Sequence, residues 1–464
     1  MKRKNLNILF IIRSASQFHY YSSIVKSLLN RGHKVRTLFD KSWTDEAMLS
    51  VVDEFKRNEL NFEYGWAVRR KDKCRNILFY SREMLGYRKY LLIKGQSEFY
   101  KERWNSYLPK SVRKTLRSNF ARFIVKTAPF GWILRGVEKA LPPSKQIIND
   151  IKKFNPDVIL AAPVNLRFSS ADLEYLKAAK ELNIPTVLPV LSWDNLTTKG
   201  LIHIIPDLLL VWNEIQAKEA EIHQSIPKKK ISIIGASVFD KWFSKMGPTL
   251  SREEFCKKNG LDPGRPIILY LSTSINLAGD ESWLVVKLRK VLDKSGYSKI
   301  KRVQMIVRPH PGGNKDIYKK MKMDNMAFVP EIGNYPNTKG SSELFYDSIH
   351  HSEFVVVGVN TSAIIEAMIM GKRGMVVLTD KYKKTQIETV HFRQLFDADA
   401  LHVVKSIKEF PSAVGASLNG EDPGIKGRKN FIKKYIRPLG LEISAGEAAS
   451  EFIEELVFLK KENT

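Results

Sequence analysis

The sequence predicts an α/β protein of two parallel-sheet domains, the first interrupted by a basic, aromatic insertion. Three observations lead there. Short β-branched runs alternate with helically spaced apolar residues through both halves of the chain, the pattern of strands buried on both faces of a parallel sheet. Those runs stop in loops rich in hydroxyl, amide and charged residues, where open α/β sheets bind ligands. The length of 464 residues exceeds what one ordinary core fills. The expected boundaries are 1–245 for the first domain, with the insertion at 69–145, then 246–425 for the second and 426–464 for a helical tail.

Composition narrows the class. Hydrophobic content of 43% with 10% aromatics fits a packed globular chain. Two cysteines, Cys74 and Cys256, form neither a disulfide framework nor a metal site. The residues from Met1 to Asn7 lead into a strand-sized apolar run, and no segment has the length of a membrane span. A cytoplasmic protein is expected, in which Asn195-Leu196-Thr197 is only a chance sequon.

In order, Asn7–Ile12 reads as a buried strand, followed by the loop from Arg13 to Gln17. A helix through Ile24, Leu28 and Leu29 comes next, then the strand Lys34–Phe39, making one βαβ unit. His19 falls at the start of that helix, toward the strand's carboxyl edge, and is the first candidate for a general base. Asp157–Ala162 is a strand, Ala171–Leu182 a helix and Thr186–Leu191 a strand. The last runs into Ser192-Trp193-Asp194-Asn195-Leu196-Thr197-Thr198-Lys199-Gly200. An indole, a carboxylate, amides, hydroxyls and an ammonium at one strand end suit a polyhydroxylated ligand, with Trp193, Asn195 and Lys199 as contacts. Asp194 serves there either as an alternative base or as a cap of its own turn. Asp207–Trp212 and Ile231–Ile234 read as further strands, with a helix from Glu214 to His223 between them.

The second series begins at Pro266–Leu271 and ends in Ser272-Thr273-Ser274. Gln304–Val307 is a strand that stops in Arg308-Pro309-His310-Pro311-Gly312-Gly313, where the prolines and glycines fix a loop carrying an Arg and a His suited to an anionic oxygen. Phe354–Val357 is the central buried strand, and Gly358 releases the backbone after it. Asn360, Thr361 and Ser362 are all helix-capping residues, and the following helix carries Glu366 about one turn in. Such a turn suits a phosphate at the helix start and a ribose on the carboxylate, although an ordinary capped βα junction reads the same way. Gly374–Leu378 closes the sheet. Asp397-Ala398-Asp399 is a carboxylate pair in the polar end of a late helix and reads as surface, so no metal site is assigned. The tail from Arg428 to Lys460 reads as one or two helices broken at Pro438-Leu439-Gly440.

The formal net charge of +27 is concentrated. Residues 69–145 hold 20 Lys and Arg against 5 Asp and Glu, a net of +15. Interleaved with them are aromatics such as Tyr87, Tyr100, Trp104, Phe120, Phe123 and Trp132. The mixture suits an anionic membrane surface, and it also fits a solvated basic face. Without a nucleic-acid module or zinc spacing, nucleic acid is not an expected partner.

Two Rossmann-like domains facing each other across a cleft match the GT-B architecture of glycosyltransferases, which this chain resembles over most of its length outside the insertion. Arg308-Pro309-His310-Pro311 looks like the His-Pro motif of bacterial enzymes with cytidine-nucleotide donors, including CDP-glycerol glycerophosphotransferases and some sialyl- and Kdo-transferases. Gly358 through Glu366 resembles the donor phosphate and ribose turn of GT-B enzymes, and is also similar to the non-hydrolysing UDP-N-acetylglucosamine 2-epimerases. Ser192-Trp193-Asp194-Asn195 with Lys199-Gly200 is similar to surface-polysaccharide proteins grouped with these. The resemblance implies a transferase moving a glycosyl or glycerophosphate group from a CMP- or UDP-linked donor to a polysaccharide or lipid-linked acceptor, working without cofactor or metal; the basic, aromatic insertion adds the expectation of a peripheral seat on the inner membrane face. Arg308 and His310 would neutralise the nucleotide phosphate. Ser272, Thr273, Asn360, Thr361 and Ser362 would cradle it, Glu366 would hold the ribose, and His19 would deprotonate the acceptor. The alternatives are an epimerase on the same scaffold and a non-catalytic membrane- or polysaccharide-binding protein.

Overall fold

In the computed structural model, residues 5–93, 98–166, 170–244, 247–311, 321, 323–331 and 338–462 are described. Gly312, Gly313 and the turn at Lys245-Met246 lie outside them. The chain divides into two compact units, one of Met1–Asp240 with Lys434–Thr464 and the other of Lys241–Lys433.

The first unit is built on a parallel sheet of seven strands: β1 Asn7–Ile12, β2 Lys34–Phe39, β3 Phe62–Trp66, β4 Val158–Ala162, β5 Thr186–Pro189, β6 Leu208–Val211 and β7 Ile231–Ile233. Their spatial order is β3-β2-β1-β4-β5-β6-β7. Ile12 pairs with Phe39 on one side and Ala162 on the other, so the order reverses at β1 and the crevice opens beyond these residues. β3 was not expected, because its alternating residues mark an edge strand: Phe62 is buried and Glu63 exposed. His19 lies in a 3-10 turn, Ala15–Tyr20, and the α-helix starts only at Ser22, which corrects its placement at a helix start.

The helix Ala445–Glu462 packs on Ser22–Asn30 in this unit. A Cβ on Gly446 would sit 2.4 Å from the Ser23 carbonyl oxygen, so only glycine permits the approach. Arg31 clamps Glu454 through two bonds of 2.8 and 2.7 Å, and Asp240 accepts the first helical N–H groups, from Ala445 and Gly446.

The basic insertion is helical: Cys74–Leu92, Glu98–Ser106, Lys110–Thr115, Asn119–Lys126 and Ala128–Ala140. Part of its aromatic content is core, since Tyr87, Tyr90, Tyr100 and Trp104 bury together with Leu108, Leu116 and Val125. A buried charge network joins it to the helix Ala171–Glu181. Arg82 binds Glu138 at 2.7 Å and Glu174 at 2.5 Å, Arg70 reaches Glu174 at 3.1 Å, and Lys177 reaches Glu138 at 2.9 Å. Removing one member of such a network costs roughly 3–5 kcal/mol, because a buried charge is left behind.

The second unit holds a six-stranded parallel sheet: β8 Ile267–Leu271, β9 Gln304–Arg308, β10 Met326–Phe328, β11 Phe354–Val357, β12 Arg373–Val377 and β13 His402–Val404. The order is β10-β9-β8-β11-β12-β13. The short edge strands β10 and β13 were not anticipated. The central strand β11 is wholly buried, as its sequence requires. Glycine at 358 has a different cause from the one expected: its φ is not positive, but a Cβ there would meet Leu284 Cδ2 and Tyr270 Oη at 2.3 Å.

Candidate functional site in the second unit

Three strands end together here. Leu271 pairs with both Arg308 and Val357, so β8, β9 and β11 deliver their loops to the point where strand order reverses. Ser272 N–H donates to the Arg308 carbonyl at 3.1 Å. Thr273 donates its N–H to Glu281 at 2.8 Å and its hydroxyl to the Asn360 carbonyl at 2.7 Å. The Asn360 amide donates to the Thr385 carbonyl at 3.2 Å. Thr273 and Asn360 therefore brace one loop against another. Glu281 lies beneath them, taking the Tyr270 hydroxyl at 2.5 Å, and burial pushes its carboxyl up to about 7.

The helix after this turn is Ala363–Ile369. Ser362 has helical backbone angles and its side chain caps nothing, contrary to the expected capping; Thr361 Oγ1 accepts the Ala363 N–H at 3.4 Å.

Glu366, on that helix, is buried rather than solvated and accepts a hydrogen bond from the Trp242 indole at 2.9 Å. Arg308 is also buried, its guanidinium 4.5 Å above the Phe345 ring. Trp242 meets the same Phe345 edge-on at 5.5 Å. Lys241 donates to Ser342 Oγ at 3.1 Å and acts on Glu366 through space. Burial works against charge on all of them. It lifts the Glu366 carboxyl to about 7 against the pull of Lys241, Trp242 and Arg308. It lowers Arg308 to about 10 and His310 to about 4, and it lowers Lys241 as well. Two cations and one carboxylate at the edge of neutrality suit an oxyanion, whose charge would favour both cations and raise the proton affinity of Glu366 and His310.

In the first unit, His19 Nδ1 lies 2.8 Å from the Ser16 carbonyl. A carbonyl only accepts, so Nδ1 carries the hydrogen and Nε2 is the basic nitrogen of the neutral ring. Asp194 is held by its own loop: Ser192 Oγ donates to one oxygen, while Thr198 Oγ1 at 2.7 Å and Lys199 Nζ at 2.9 Å meet the other. Trp193 is mostly buried. Asn195 is fully buried, its amide donating to Asn165 Oδ1 at 3.0 Å. The loop is thus internally bonded, and Asn195 serves its shape.

Sequence reasoning missed Lys241 and Trp242, which lie more than a hundred residues from Glu366, and no local motif flagged them. It also missed Lys89 and Glu219. The Lys89 ammonium donates to the carbonyls of Leu196 and Lys199 at 2.8 and 3.0 Å, and burial brings it down to about 7. Burial raises the Glu219 carboxyl to about 8. Asp397 and Asp399 are exposed, and among the described residues no group of three or more His, Cys, Asp or Glu is arranged to hold a metal ion.

No family model matches the chain, and no curated protein matches it in sequence. Solved structures do match in fold over nearly the whole length. A glycosyltransferase from Rickettsia africae aligns at 12% identity over 98% of this chain and 99% of its own, with a TM-score of 0.56. A UDP-GlcNAc 2-epimerase from Methanocaldococcus jannaschii, solved with UDP-GlcNAc and UDP, aligns at 14% identity over 97% and 99%, with a TM-score of 0.52. UGT89C1 of Arabidopsis thaliana aligns at 12% over 98% and 100%, with a TM-score of 0.52. These likenesses establish the fold: two Rossmann-like domains of the kind shared by GT-B glycosyltransferases and UDP-GlcNAc 2-epimerases. The resemblance drawn from the sequence is met at that level.

Proposed function

We propose that this protein is a glycosyltransferase, or a glycerophosphate transferase on the same scaffold, that draws on a nucleotide-activated donor. The observation that carries the reading is the pair of buried residues Arg308 and Glu366 beyond the carboxyl ends of β9 and β11, with the half-buried His310 two residues past Arg308 and the half-buried Lys241 acting on Glu366 from the turn Ser237–Phe243. In this reading Arg308 and Lys241 meet the charge that develops on the leaving phosphate, a role for fixed cations in a poorly solvated site. His310, neutral before binding, donates one N–H and gains a proton as the phosphate charge builds. Glu366, oriented by Trp242, accepts from a ribose hydroxyl. Thr273 and Asn360 hold the loops in register instead of touching the donor. His19 offers Nε2 as base toward the acceptor hydroxyl, with Lys199 and Trp193 as acceptor contacts. The acceptor is proposed to be a polysaccharide or lipid-linked glycan, and no metal is assigned a part.

The 2-epimerase reading shares the fold, and the two are separable by product. Incubation with UDP- and CMP-linked sugars in deuterated buffer is expected to release free nucleotide, accelerated by glycan acceptors. Epimerisation at C2 must break the C2–H bond. Recovery of the nucleotide sugar with deuterium at C2 and no nucleotide release would replace the transferase reading with that one.

A further inference from the structure

The insertion has a face that its own core does not use. In the helix Asn119–Lys126, Phe120, Phe123 and Ile124 stand exposed at 72%, 66% and 40%. In the next helix, Trp132 and Ile133 are exposed at 68% and 67%. Spacings of three and four residues put Phe120, Phe123 and Ile124 on one side of their helix, and Trp132 and Ile133 are adjacent positions about 100° apart on theirs. The opposite sides carry Val125 and Gly131, which are buried, so each helix is covered on one side and leaves its exposed apolar residues uncovered on the other.

Charge accompanies the uncovered face. Residues 103–137 contain 8 Lys and Arg and no Asp or Glu. Lys114, Arg117, Arg122, Lys126 and Arg135 are all exposed. Glu138, the first acid after this stretch, is buried and held by Arg82 and Lys177, so it offsets nothing at the surface. Exposed aromatic and aliphatic stripes of this kind mark an interaction surface.

We propose that the helices Asn119–Lys126 and Ala128–Ala140 seat this protein on an anionic lipid bilayer. Phe120, Phe123, Ile124, Trp132 and Ile133 would enter the headgroup boundary, and the neighbouring Lys and Arg would meet lipid phosphates. Ile124 and Ile133 offer nothing to a nucleobase, which argues against nucleic acid. A second copy would bring the same uncompensated charge to the contact, which argues against self-association. Among the described residues no helix is long and apolar enough to cross a membrane, and the proposed contact is of these two helices lying at the bilayer surface. The inference stands independently of the donor site and holds for any chemistry performed there.

The test is co-sedimentation of the full chain with phosphatidylcholine vesicles, with and without an equal share of phosphatidylglycerol. Binding is expected only to the anionic vesicles and should weaken as salt rises. The triple variant Phe120→Ser, Phe123→Ser, Trp132→Ser should lose at least about tenfold in apparent affinity with its unfolding midpoint kept. If that variant misfolds, Lys114→Gln, Arg117→Gln, Lys126→Gln leaves the apolar face intact and should lose the preference for anionic vesicles. Equal binding to neutral vesicles, wild-type binding by the charge variant, tighter binding to an RNA or DNA oligonucleotide than to vesicles, or a dimer in solution that the triple variant abolishes would each overturn the proposal.

Discussion

Replacing Arg308 with glutamine keeps most of the side-chain volume above Phe345 and removes the charge. In the wild-type set Arg308 and Lys241 face one carboxylate whose pKa burial has raised to about 7. Near neutral pH that carboxylate is half protonated, so the set carries a charge between +1 and +2, and the substitution takes away one full unit. A unit charge about 4 Å from a phosphate at an effective dielectric of roughly 20 amounts to about 4 kcal/mol before desolvation. Charge-assisted hydrogen bonds measured by deletion contribute roughly 1.5–3 kcal/mol, and that is the better guide. Nucleotide affinity should therefore fall roughly 10- to 150-fold. The fold should survive, because Glu366 loses a neighbour that favoured its charge and so becomes protonated more readily at neutral pH. Calorimetric titration with UDP and CDP measures the loss, and a thermal melt checks the fold. A correctly folded variant that binds both within twofold of wild type would refute the assignment of Arg308 to the phosphate.

Other expectations follow from the same geometry. His19→Ala should leave nucleotide affinity unchanged and lower single-turnover rates by roughly 10²–10⁴-fold, as for a positioned base; lost nucleotide affinity would make His19 a donor ligand instead. Glu366 is neutral below pH 7 and charged above it, so nucleotide affinity should fall as pH rises through about 7, by at most tenfold per pH unit for one linked proton. Glu366→Gln should flatten that dependence in parallel titrations, and an unaltered slope would exclude Glu366 as its source. Gly358→Ala forces a methyl group against Leu284 and Tyr270 and should destabilise the chain by roughly 1–3 kcal/mol in denaturant unfolding; a wild-type midpoint would show that the neighbours yield freely.

Strands buried on both faces were the most legible part of the sequence. Ile8–Ile12, within the strand Asn7–Ile12, and Phe354–Val357 are continuous apolar runs, and the bounds of both strands were read as they are observed. Of the four edge strands only β7 was read; the others were not legible, and His402–Val404, for instance, has three residues, two of them only partly buried. The insertion shows why composition alone misleads, since Trp104 and Trp132 read alike in sequence while one is buried and the other exposed. Within the donor turn, residue type marked the right loops but not each side chain's task. Thr273 turned out to brace Asn360, and Glu366 acquired a partner in Trp242 that only the fold brings to it. Local pattern reports strand ends well; contacts between segments distant in sequence leave no periodic trace.

The binding of a nucleotide phosphate by the second unit is tested most directly by a thermal-shift panel of CMP, CDP, UMP, UDP and GDP. It would be run on the wild-type chain and on the double variant Lys241→Met, Arg308→Gln. A ligand that binds only the native state at about 100 times its dissociation constant adds roughly 2.7 kcal/mol. At least one pyrimidine nucleotide should raise the wild-type midpoint and leave the double variant unmoved. No shift with any of the five, or an equal shift in both proteins, would contradict a phosphate site built on Arg308 and Lys241.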